Sequence, residues 1–142
     1  MKDRTSAIRT YLFDIIKEFN KNYKQININF LSDDINNYSL DKIGTKSITQ
    51  LWIATGTIRK DVYSFRSRMS YSADAVNNIE NAGFYESFEN KIYTNNLKGI
   101  LPKIKGIESI ECLNCGSMTN AGTNTCEFDI QIQITYYVEE EL

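Results

Sequence analysis

The sequence contains no histidine, and proline occurs once in 142 residues. The missing imidazole removes the commonest general base at neutral pH and the usual partner of a nucleophilic serine or cysteine, so Ser-His-Asp and Cys-His machinery is excluded. No stretch approaches the roughly eighteen uninterrupted apolar residues of a membrane-spanning helix. Residues 1–9 are too polar for a secretory leader, so the chain is expected to be made in the cytoplasm and to contact no membrane. Charge of one sign is lacking as well. Sixteen basic residues are spread among eighteen acidic ones, for a formal net charge of −2, which leaves no broad cationic face for gripping nucleic acid.

Cysteine is scarce too: three residues, an odd number, which fits reduced thiols better than a disulfide framework. Cys112 and Cys115 are spaced as a metal or redox pair, with Cys126 nearby. A closed zinc site takes four ligands, however, and the chain offers three cysteines without histidine. Redox use places the first thiol at a helix N-terminus, whereas Cys112 reads as the end of a strand. The thiols are therefore read as unliganded, with a small zinc or redox protein as the competing chemical reading. Gly44 and Gly56 build no phosphate-cradling loop. The adjacent acids Asp33 and Asp34, like those at 139–141, read as solvated rather than catalytic. No cofactor, metal or catalytic residue is expected.

What the sequence does have is periodicity. Ile8, Leu12, Ile15, Ile16 and Phe19 fall on one stripe of a helix over 6–22, with Asp3, Thr5 or Ser6 as its cap. The period then changes to two: Ile26, Ile28 and Phe30 alternate with polar residues as in a half-buried strand. Residues 33–46 read as a long connection pinned at a few apolar points. Two strand runs follow, at 47–57 and 59–70, with Phe65 out of phase and a bulge expected there. A helix from Ser72 stops at Gly83, and a second spans 85–95 before Gly99 and Pro102 break the pattern. Residues 104–112 read as a strand, and 114–124, rich in Gly, Ser, Thr and Asn, as a loop or wide hairpin. The clearest signal comes last. Cys126, Phe128, Ile130, Ile132, Ile134 and Tyr136 alternate without interruption with polar residues, as in a long antiparallel strand covered on one side.

The expected fold is one α+β domain spanning 1–142: a mostly antiparallel sheet flanked by helices on one face. Its core is expected to hold Leu12, Ile15, Phe19, Ile28, Phe128, Ile130, Ile132 and Ile134, with Trp52 as a further core side chain. The segment 59–71 mixes rings with cations through Arg59, Tyr63, Arg66 and Arg68. It reads as a strand with alternating faces, as an inter-subunit surface, or as a single-strand nucleic-acid binder.

The wording of four stretches, namely 9–19, "DVYSFRSRMSYSADAVNNIENAGFYESFENKI" at 61–92, "GILPKIKGIESIECL" at 99–113 and "NTCEFDIQIQITYY" at 124–137, resembles the tail terminator proteins of long-tailed bacteriophages. These are often labelled minor capsid proteins in phages and prophages of low-GC Gram-positive bacteria. The resemblance covers most of the chain. It implies a homo-hexameric ring that caps the tail-tube protein, stops its polymerisation and joins the tail to the head-tail connector protein, with sheath contacts where the tail is contractile. DNA would pass through the lumen without specific binding, and no catalytic residue comes with the family. Subunit contacts are then expected at Arg59, Tyr63, Arg66 and Arg68, at Asp33 and Asp34, and at Asn114, Ser117 and Asn120, since loops on a rigid scaffold carry adaptable contacts. A head-completion or connector protein of the neck is the competing structural reading.

Overall fold

A computed structural model of the chain describes residues 4–19, 25–28, 31, 37–43, 48–51, 56–70, 75–114, 116–121 and 125–139. In chain order these form α1 (Arg4–Phe19), β1 (Gln25–Ile28), β2 (Asn37–Lys42), β3 (Ile48–Leu51), β4 (Gly56–Ser70), α2 (Ala75–Lys98), β5 (Ile107–Cys112), β6 (Ser117–Ala121) and β7 (Thr125–Glu139). All seven strands join one sheet in the order β1-β2-β4-β7-β5, with β3 on β4 and β6 on β7. The pairing of β1 with β2 is parallel and the others are antiparallel, so the fold is α+β.

The sheet is built around β4 and β7, fifteen residues each, which pair from Gly56↔Glu139 to Ser70↔Thr125 without a slip. Each carries two short strands end to end on its outer edge. β2 and β3 share β4, and β5 and β6 share β7. Strict alternation puts Tyr63, Phe65 and Met69 of β4 on the same face as Ile130, Ile132, Ile134 and Tyr136 of β7, and all are buried. Both helices pack on that face. From α1 come Ile8, Tyr11, Leu12, Ile15 and Ile16, three and four residues apart, and from α2 come Tyr85, Phe88 and Ile92. The rings of Tyr38, Phe65 and Phe88 lie in one stack, with centroids 5.4 and 5.3 Å apart. Among the described residues no helix is long and apolar enough to cross a membrane.

Several expectations are corrected. α2 is one helix, running through Gly83 to Lys98. A glycine inside a helix costs only about 1 kcal/mol, which packing of the aromatic face offsets. The true stop is Gly99, at φ 74°, where the amides of Gly99 and Ile100 bond back to the carbonyls of Asn96 and Asn95 in a Schellman arrangement. Thr5 and Ser6 lie inside α1 and so do not cap it; Asp3 lies outside the described residues. The connection 33–46 hides a strand, β2. Its residues 37–40 are all buried: Tyr38 and Leu40 lie on the face the helices cover, and Asn37 and Ser39 lie on the other face, opposite Arg68 and Arg66 of β4.

No bulge occurs at Phe65. It stays in phase with Tyr63 and Met69, and the pattern was obscured because the buried face also carries Asp61 and Ser67. Of the expected core, Leu12, Ile15, Ile130, Ile132 and Ile134 are buried, and Phe128 is half-buried, stacked on Tyr85 at 5.1 Å. Ile28 is 43% exposed: it shares a face with buried Ile26 but lies at the end of the outermost strand. The side chain of Phe19, and all of Trp52, lie outside the described residues.

Candidate functional site

Alternation divides the aromatic and cationic segment of β4 between two faces. Tyr63 is fully buried under α1 and cannot touch a neighbouring subunit, which corrects its place among the contact residues. Arg59 shares that face, half-buried, with its Nε donating to Thr57 at 3.0 Å. Arg66 and Arg68 emerge on the open face, and cross-strand carboxylates take them up: Arg66 donates to Asp41, and Arg68 to Glu127 at 2.8 Å. Ser64 donates to Asp129 at 2.7 Å beside them. Cations already paired in this way make a poor phosphate track, so the single-strand binding reading loses its residues.

The other expected contact residues fare differently. Asp33 and Asp34 lie outside the described residues. Asn114 is exposed, and its side-chain oxygen accepts the amide of Gln131 at 2.9 Å, extending the ladder of β5 by one rung. Ser117, exposed, and Asn120 belong to β6, which pairs antiparallel with β7, so of the two readings of 114–124 the hairpin rather than the loop holds here. Cys112 stands opposite Ile132, whereas Cys126 stands opposite Met69 and Ala121. Six positions along β7 separate them, about 20 Å at 3.3 Å per residue, so these two thiols cannot share a metal or a disulfide. Cys115 lies outside the described residues.

Sequence reasoning missed Asp61. A lone acid in a strand of alternating polarity reads as solvated, yet this one is 1% exposed. Its Oδ2 accepts from Arg4 Nε at 2.8 Å and from the Tyr136 hydroxyl at 3.2 Å, with Lys42 Nζ at 3.7 Å. The guanidinium of Arg4 also lies 4.8 Å over the Tyr136 ring, so one carboxylate ties α1 and β2 to the central strands. Burial raises the tyrosines around the core. Tyr63 and Tyr136 rise through desolvation first and then the charge of Asp61, opposed by Arg4. Tyr11 rises through burial, and Tyr85, hydrogen-bonded to Ser67, is pushed well up by burial, then by Tyr38, Cys126 and Asp129.

These shifts have a pH consequence. The unfolded chain releases tyrosine protons near pH 10 while the folded chain keeps them, so stability is full below that range and falls as pH rises through it. Each of the four contributes at most about 1.4 kcal/mol per pH unit. Denaturant titrations at neutral pH, pH 10 and pH 11 are expected to show a flat region and then a steep loss, with the tyrosinate absorbance of these four appearing only as the protein unfolds. Free titration of all tyrosines in the folded state would contradict this.

Among the described residues, most of the large exposed apolar side chains gather on one flank. Glu89 and Asn96, seven residues apart on α2, hold the edge strands: Glu89 accepts the amide of Gly116 at 2.8 Å, and Asn96 that of Ile110 at 3.1 Å. That places the same side of α2 along the β5–β6 edge. Tyr93 and Leu97 fall on or next to this side, 64% and 71% exposed, followed by Ile100 at 52%. Leu113 and Met118, also exposed, belong to the edge itself. At the other end of the strand order, β1 presents Ile28. The helical spacing of Tyr93 and Leu97 was the available signal, but without the sheet it reads as an inward face. No protein-family model matches the chain, and a search of curated proteins finds no match either.

Proposed function

We propose that this chain is a structural ring subunit of the tail-terminator type, which associates with copies of itself and caps a tail tube, and that it carries out no catalysis. The observation that supports this reading most is the unequal pair of apolar flanks at opposite ends of one sheet. Tyr93, Leu97, Leu113 and Met118 stand on one, and Ile28 on the other. Two different surfaces on opposite sides of a rigid body favour head-to-tail contacts, and head-to-tail contacts close into rings when the rotation per subunit fits. The core is already filled by both helices, so these side chains have no further partner to seek within the fold among the described residues. The wording resemblance to tail terminators supplies the hexameric stoichiometry, the tail-tube and head-side connector partners, and passage of DNA through the lumen.

The test is assembly. The purified chain, alone or mixed with tail-tube protein, is expected to form rings by sedimentation and electron microscopy. Tyr93→Glu together with Leu97→Glu, both exposed changes, should leave circular dichroism and melting intact yet abolish assembly, since charge at the centre of an apolar contact opposes burial. A chain that stays monomeric in both settings, or a double variant that assembles as well as the parent, would sink the proposal.

A further inference from the structure

Beside the buried carboxylate lies a half-open cavity of about 600 Å³. Its cations come from three separate segments: Arg4 from the first turn of α1, Lys42 from β2, and Lys103 and Lys105 from the turn ahead of β5. Glu139 and the adjoining Asp61 are the opposing carboxylates, so four positive charges face two negative ones in a chain whose net charge is −2. The apolar remainder of the wall includes Ile104 and Val138.

The cations are positioned rather than merely nearby. Arg4 is gripped through Nε by Asp61 and through its plane by Tyr136, which leaves its two terminal amino groups without a partner among the described residues. Lys103 and Lys105 form no ion pair there either. Their turn is fixed by the amide of Ile107 bonding to the carbonyl of Ile104 at 3.2 Å, and by that of Tyr137 bonding to Gly106 at 2.8 Å. Gly106 sits at φ 79°, and a β-carbon there would meet the Tyr137 carbonyl at 2.1 Å, so only glycine lets the turn lie this close to β7. A planar guanidinium with free terminal donors, flanked by lysines, suits the three oxygens of a phosphate. The volume left over, lined by Ile104 and Val138, suits an apolar body attached to it.

We propose that this cavity binds a phosphate monoester carried on a compact apolar body. The site is independent of ring assembly and involves other residues. The probe is phenyl phosphate, titrated calorimetrically into the intact chain at low salt. Saturable binding is expected, weakened about tenfold or more by Lys103→Gln with Lys105→Gln, two exposed changes that leave Arg4 and Asp61 in place. Inorganic phosphate, lacking the body, and phenol, lacking the charge, should each bind at least about tenfold more weakly. The absence of saturable heat up to about 10 mM phenyl phosphate overturns the proposal. So does equal affinity in the lysine variant, and so does benzoate or phenol binding as tightly as phenyl phosphate. Should the double variant unfold, Lys103→Gln and Lys105→Gln are measured singly, and at least one of them must weaken binding.

Discussion

Ile132→Asp is expected to leave the chain unfolded. Ile132 is fully buried, paired across to Tyr63 on one side and Cys112 on the other, at the middle of the sheet. A carboxylate there would have neither solvent nor a cation. Burying an unpaired charge costs more than about 4 kcal/mol, a large share of the 5–15 kcal/mol that holds a domain together. Far-ultraviolet circular dichroism and a thermal scan decide the matter. A native spectrum with an unchanged melting point would mean that β7 is not the spine of the fold.

Phe65→Ala is expected to cost about 3–5 kcal/mol. The ring stacks on Tyr38 on one side and on Phe88 on the other, and so joins β2, β4 and α2 in a single contact. Truncation removes ring contacts with both partners and leaves a void that neither strand can close, because Phe65 is held opposite Leu40 and Ile130 by backbone pairing. The expected result is a fold that persists with a melting point lowered by many degrees, unlike the outright loss at Ile132. Arg66→Ala makes the useful contrast. Its pair with Asp41 lies on the open face, partly solvated, and should cost at most about 1 kcal/mol. Equal losses at Phe65 and Arg66 in denaturant titrations would show that the open face, not the aromatic stack, dominates stability.

Elements covered on one side could be read directly from the sequence. β7 showed itself because one face meets the helices and the other meets water, so Ile130, Ile132 and Ile134 alternate with glutamines and threonine. α1 did so because Ile8, Leu12, Ile15 and Ile16 recur at the pitch of a helix packed along one stripe. The stop at Gly99 was visible because a left-handed residue after a helix is a local requirement.

Tertiary structure alone decided the rest, wherever a side chain's partner is distant in sequence. Asn37 and Ser39 are polar yet buried, because β2 lies inside the sheet with Arg68 and Arg66 of β4 opposite them, and Ser39 donates to Asp41 at 2.7 Å. Asp61 belongs to the interior only because Arg4, Lys42 and Tyr136 converge on it from three other elements. Arg59, Tyr63, Arg66 and Arg68 looked like one surface, but the pleat sends them to two. Tyr93 and Leu97 became an exposed flank only when β5 and β6 took up the neighbouring side of α2. Hydrophobic period reports which side of an element is covered; the identity of what covers it is a property of the assembled sheet, and the chain's local chemistry does not contain it.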